Sequence, residues 1–130
     1  MARKANTTEV PLIFIVDDDV SVRRSTGRFV RSLRMRAETF ASAQDFLNSG
    51  RVADAACLIL DVRMPDMDGP ELQGRLRKTR QRIPMVFISA RVTKEEEDRA
   101  LRSGILAFLH KPIGKDALLR VIDMALETLK

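Results

Sequence analysis

Five residues in this 130-residue chain stand where apolar runs stop. Leu12–Val16 ends in Asp17-Asp18, Leu58–Leu60 ends in Asp61, Met85–Ile88 ends in Ser89, and Ile105–Leu109 leads through His110 to Lys111. A carboxylate at the end of a buried strand is costly unless something compensates it. Three carboxylates brought together repel one another and call for a cation. Oxygen donors with no imidazole or thiolate among them suit Mg²⁺ or Mn²⁺ better than zinc. Such a metal neutralises an incoming phosphoryl group, which Asp61 can attack as a carboxylate nucleophile. The Ser89 hydroxyl and the Lys111 ammonium are then available to two phosphoryl oxygens.

The elements that must position these residues follow one period, strand then helix, five times. Leu12–Val16 is a short, continuous apolar run, as expected of a strand buried on both faces. Val22, Thr26, Phe29, Val30 and Leu33 then recur at helical spacing, with Gly27 a weak point. Arg36–Phe40 alternates like an edge strand, and Ser42 suits the N-cap of a short helix carrying Phe46 and Leu47. Ala56–Leu60 reads as the third strand. Gly69-Pro70-Glu71 opens a helix with Leu72 and Leu76 inward. Met85–Ile88 is the fourth strand. Thr93 caps the next helix, and Glu95, Glu96 and Glu97 suit its positive end. That helix has little apolar surface beyond Ala100 and Leu101, so it is expected to be the most weakly anchored and the one that shifts. Ile105–Leu109 is the fifth strand. Leu118, Leu119, Ile122, Ala125, Leu126 and Leu129 line the last helix.

Alternation of strands and helices predicts a doubly wound α/β domain, a parallel sheet with helices on both faces. In such sheets the site lies beyond the carboxyl ends of the strands. All five residues fall there. Asp66 and Asp68 are expected to serve the turn and the helix start.

Composition narrows the function classes. No apolar stretch approaches the roughly 18 residues of a membrane span. Residues 1–10 are expected to form a disordered arm, and residues 11–130 the domain. Cys57 lies within an apolar run and reads as a buried structural thiol; one cysteine forms no internal disulfide, as expected of a cytoplasmic protein. Net charge is +5. Its basic residues, Arg23 to Arg34 and Arg75 to Arg82, sit at helix spacing, so they read as solvated faces or as a surface for an acidic partner. No Trp or Tyr is present to stack on bases, which argues against direct nucleic-acid contact.

Val16-Asp17-Asp18, the loop Asp61-Val62-Arg63-Met64-Pro65-Asp66-Met67-Asp68-Gly69, Ser89-Ala90 and Lys111-Pro112 together resemble the receiver domain of two-component response regulators. The likeness runs over about residues 11–129. Arg63-Met64-Pro65 and Phe108 look most like the FixJ type; Ile113 departs from the Phe usual after Lys-Pro. The resemblance implies a flavodoxin- or CheY-like sheet of order 2-1-3-4-5, with Asp61 phosphorylated by a sensor histidine kinase, a phosphotransfer protein or a small acyl phosphate. It implies Mg²⁺ (or Mn²⁺) held by Asp18, Asp61 and the Arg63 carbonyl, with Asp17 acting through water. It implies that Ser89 and Phe108 turn inward as a switch, that Lys111-Pro112 is cis, and that the surface of the fourth helix, fifth strand and fifth helix controls homodimerisation or an effector. A transcriptional output domain outside these residues is implied too; the alternative is a stand-alone receiver or phosphorelay shuttle.

Other classes fit less well. An aspartate-nucleophile phosphatase needs a second Asp where Arg63 stands. A nucleotide or flavin binder needs a Gly-rich phosphate loop, and acids occupy that turn. A pseudo-receiver would not need the intact set of acids, hydroxyl and lysine. Arg63 and Arg91, each two residues past a site residue, could stand at the mouth of the site; either both are simply solvated, or one of them contacts the phosphoryl group or blocks attacking water and so sets its lifetime.

Overall fold

In the computed structural model the described residues are 10–128. The proposed arm falls almost wholly outside them, as does Leu129. Strands β1 (Leu12–Val16), β2 (Arg36–Phe40), β3 (Cys57–Asp61), β4 (Met85–Ser89) and β5 (Ala107–His110) alternate with helices α1 (Val20–Ser32), α2 (Ala43–Asn48), α3 (Gly69–Lys78), α4 (Lys94–Arg102) and α5 (Lys115–Glu127). The strands form one sheet in the order β2-β1-β3-β4-β5, all parallel. Every residue of β1, β3 and β4 is buried, which is why those runs are continuously apolar. Edge strand β2 is half-exposed.

The two-residue period of the strands divides the core in two. Phe14, Leu58, Leu60 and Phe87 pack with Phe46 of α2, Leu72 and Leu76 of α3 and Ala100 of α4. Ile13, Ile15, Ile59, Val86 and Ile88 pack on the other face with Val30 of α1 and Leu118, Val121 and Ile122 of α5. Gly69 lets α3 begin directly on the Phe87 ring: a Cβ there would lie 3.2 Å from Phe87 Cζ. Gly104 follows α4 at φ +102°, a conformation that favours glycine.

Three expectations are corrected. Strand β5 starts at Ala107, and Ile105 is buried ahead of it, directly after the turn at Ser103-Gly104. Leu119 and Leu101 face solvent, and Val121 takes the inward place beside Leu118. Several basic residues are not merely solvated: Arg31 donates to the Ala37 carbonyl, Arg77 to the Ser103 carbonyl and Arg23 to the Asp17 carbonyl.

Register sets up the site. Val16 pairs with Leu60, so Asp17 follows level with Asp61. Asp61 pairs with Ile88, so Ser89 stands one residue beyond. Ser89 pairs with His110, so Lys111 stands one further still. The four functional groups climb in a staircase across the top of the sheet.

Leu118 and Leu119 are adjacent and chemically identical, but 3% and 37% exposed. Leu118→Ala is expected to lower stability by about 2–5 kcal/mol, and Leu119→Ala by about 0.5 kcal/mol or less. Urea denaturation of the two variants measures the difference. Cys57 is fully buried, and desolvation pushes its thiol up to about 12. It should resist iodoacetamide in the native protein and react once urea unfolds it.

Candidate functional site

Asp17 and Asp61 are each held by the loop that follows them. Asp17 is completely buried, and its Oδ1 accepts the Asp19 backbone N–H at 2.9 Å. Its carbonyl accepts a bond from Arg23 Nη1 at 2.7 Å, which ties the loop to the first turn of α1. Asp19 is the N-cap of that helix, taking the N–H groups of Ser21 at 2.8 Å and Val22 at 3.3 Å. Asp18, between them, is exposed. Asp61 closes β3 at 7% exposure, and its Oδ1 accepts the Arg63 backbone N–H at 3.0 Å. The loop beyond it is pinned by buried Met64 and Met67 and ends at Asp68, which forms a reciprocal capping box with Glu71. Asp66 reaches across to cap α2, accepting from Gln44 N at 3.0 Å.

Lys111 joins these loops. Its Nζ donates to Asp61 Oδ2 at 2.8 Å and lies 3.0 Å from Asp17 Oδ2. The peptide that follows, Lys111-Pro112, is cis, as the resemblance implied. Burial works against the Lys111 charge, but its close contacts with the Asp61 and Asp17 carboxylates outweigh that and hold it above the usual lysine value. Burial raises Asp17, which the Asp19 N–H and Lys111 oppose and the Asp61 charge reinforces. One oxygen of each of Asp17, Asp18 and Asp61 lies within 4.8 Å of the others. Asp17 Oδ2 is buried with no aligned hydrogen bond; the Lys111 ammonium meets it only as an ion pair. A buried carboxylate oxygen in that condition, among hard oxygen donors, fits a divalent cation.

The remaining expected residues are placed differently. Ser89 is 1% exposed, and its hydroxyl is folded onto its own loop, donating to the Arg91 carbonyl at 2.8 Å and accepting the Arg91 N–H at 3.2 Å. Phe108 is half-buried, edge-on to Phe87 at 6.4 Å between ring centroids, with the His110 ring 5.5 Å away. The Arg63 guanidinium does not cover Asp61. It donates to both oxygens of Glu96 on α4, at 2.8 and 3.0 Å, and to the Arg91 carbonyl at 3.2 Å. The exposed Arg91 contributes only backbone groups to this network among the described residues. Beside it, His110 Nε2 lies 2.9 Å from Glu97 Oε1.

Sequence reasoning missed the cap by Asp19, the bond from Arg23 to the Asp17 carbonyl, the capping box and ion pair of Glu96, and the capping role of Asp66. Asp19 carried a usable signal, an Asp just before an amphipathic helix. So did Glu96, three residues after Thr93, the spacing of a capping box. Arg23 and the Arg63–Glu96 pair carried none.

The chain matches the response regulator receiver domain family over residues 13–123. It is 36% identical to the response regulator protein TmoT of Ectopseudomonas mendocina, over 98% of this chain and 58% of that protein. It is 30% identical to the transcriptional regulatory protein FixJ of Bradyrhizobium diazoefficiens, over 88% of this chain and 56% of that one. Among solved structures, response regulator StyR superposes with a TM-score of 0.84 at 41% identity, covering 92% of this chain and 61% of that one. The crystal structure of FixJ-N gives 0.80 at 28%, covering 92% and 95%. The chain thus spans little more than half the length of the curated relatives it matches. No described helix is long and apolar enough to cross a membrane. With the acids, the serine and the lysine at the same edge of the same sheet order, and the family match running from β1 into α5, the chain belongs to the response regulator receiver domains.

Proposed function

We propose that this receiver domain takes a phosphoryl group onto Asp61 from a sensor histidine kinase or phosphotransfer protein and so works as a cytoplasmic signalling switch. The observation that carries the reading is the Lys111 ammonium, 2.8 Å from Asp61 Oδ2 and 3.0 Å from Asp17 Oδ2. A lysine so placed restrains the nucleophile before reaction and is in reach of a phosphoryl oxygen afterwards.

In the proposed reaction an Asp61 oxygen attacks phosphorus. An O–P bond forms as the P–N bond to the donor imidazole breaks, and the electron pair leaves on that nitrogen, which takes up a proton. Asp18, Asp61 and the Arg63 carbonyl would hold Mg²⁺ (or Mn²⁺), with Asp17 acting through a water; the ion supplies positive charge to the phosphoryl oxygens. Ser89 would exchange its bond to the Arg91 carbonyl for one to a phosphoryl oxygen, and Phe108 would turn inward beside Phe87. An apolar cleft of about 490 Å³, lined by Val22, Phe29, Pro112, Ile113 and Leu118, opens beside Lys111 and gives a donor protein a surface to rest on. The output surface would be α4, β5 and α5, acting through homodimerisation or on an effector. The names of TdiR from Thauera aromatica and of FixJ, both transcriptional regulatory proteins, support a transcriptional output.

Incubation with acetyl phosphate and MgCl₂ should add the mass of one phosphoryl group to the chain, read by intact mass spectrometry. Asp61→Asn should add none, and Lys111→Met should react on the order of a hundredfold more slowly. Labelling of Asp61→Asn at the parent rate would sink the proposal.

The metal is tested separately. Saturating MgCl₂ should stabilise the chain against urea, by about 2.7 kcal/mol at a hundredfold excess over Kd. Asp18→Asn should lose that gain while remaining at least as stable as the parent without metal, because it removes a like charge from the cluster. A parent midpoint that ignores Mg²⁺ would contradict the assignment.

A further inference from the structure

Helix α4 has one buried residue, Ala100, in its nine. Polar contacts therefore do most of the work of fixing its first turn. Glu96 closes the capping box, with its backbone N–H on Thr93 Oγ1 at 3.1 Å and its Oε1 on the Thr93 N–H at 3.0 Å. The same carboxylate takes both Arg63 contacts. The Thr93 N–H and Arg63 together hold Glu96 below the usual carboxylate range.

Arg63 ties three parts of the molecule. Its backbone N–H is on Asp61 Oδ1, its Nη2 on Glu96 of α4, and its Nε on the Arg91 carbonyl. That carbonyl also receives the Ser89 hydroxyl. Its two lone pairs are thus engaged by one neutral and one cationic donor. The guanidinium holds the β4–α4 loop in place and polarises the oxygen on which Ser89 rests. For the hydroxyl to turn toward Asp61, it must leave an acceptor that Arg63 strengthens and immobilises.

We propose that Arg63, clamped by Glu96, is a positioning residue that keeps the Ser89 hydroxyl on the Arg91 carbonyl and α4 in its present place, so that the domain resists phosphorylation until the clamp opens. This rests on the reading of Asp61 as phosphoacceptor. It differs from an arginine that touches the phosphoryl group itself, because the guanidinium faces away from Asp61 and acts through Ser89 and α4.

Three variants of the full chain test the clamp: Arg63→Lys, Glu96→Gln and the two combined. Lysine keeps the charge but lacks the planar fork needed to hold Glu96 and the Arg91 carbonyl together. Glutamine keeps an oxygen for the Thr93 N–H, so the capping box survives while the ion pair is lost. Without metal or phosphoryl donor, amide hydrogen exchange from Glu96 to Ala100 should quicken about two- to fivefold in each single variant, the range of an exposed pair, and no further in the double variant. With acetyl phosphate and MgCl₂, phosphorylation of Asp61 should quicken by a similar factor. Additive effects in the double variant, parent-like exchange in both single variants, or faster exchange without faster phosphorylation would each overturn the proposal. A parent chain that takes no phosphoryl group overturns the phosphoacceptor reading and the kinetic half of this one; exchange then still decides whether the clamp exists.

Discussion

One ammonium between two buried carboxylates sets the terms for this fold. Lys111 comes from the end of edge strand β5 and reaches back over β4 and β3 to Asp61 and Asp17. Its backbone N–H on the Ser89 carbonyl, at 2.9 Å, continues the β4–β5 ladder and fixes where that reach begins. Ionised Asp17, Asp18 and Asp61 with one lysine leave two negative charges, the charge a divalent cation would balance. The cluster is thus partly compensated by the lysine and still carries net negative charge. Such a compromise is what a functional site demands of a stable scaffold.

The sheet was legible because its physical signal is local. Strands buried on both faces must be apolar at every position, and β1, β3 and β4 are. Asp17, Asp61, Ser89 and Lys111 could be brought to one edge from sequence because alternating strands and helices leave a parallel sheet as the simplest arrangement. Details set by long-range packing were not legible. Periodicity admits either Leu119 or Val121 to the core, and packing of α5 against the sheet buries Val121 and leaves Leu119 exposed. Asp66 looks like a turn residue because α2, which it caps, lies 22 positions away in the chain.

The arginines show a sharper limit. Their spacing from Asp61 and Ser89 suggested two side chains at one mouth, but spacing fixes only where a backbone is. Arg63 has an acidic helix start within reach, and a fork that can serve a carboxylate and a carbonyl together. Glu96 is 33 residues away and half-exposed, so no pattern in the sequence joins the pair. The side chain turns to an acid in the first turn of α4 that already closes a capping box and still has acceptor capacity for the guanidinium.

Rigid and movable parts are separated by the same chemistry. Moving β1, β3 or β4 would strip large apolar side chains from two cores, at about 1.5–3 kcal/mol for each one exposed. Moving α4 disturbs one alanine and a few polar contacts on the surface. A charge-assisted hydrogen bond is worth about 1.5–3 kcal/mol, and an exposed ion pair about 1 kcal/mol or less. A phosphoryl group at Asp61 that recruited the Ser89 hydroxyl would therefore be comparable to what holds α4 and far short of what holds the strands. The sheet can serve as a fixed frame while the fourth helix responds, because apolar burial secures the one and polar contacts secure the other.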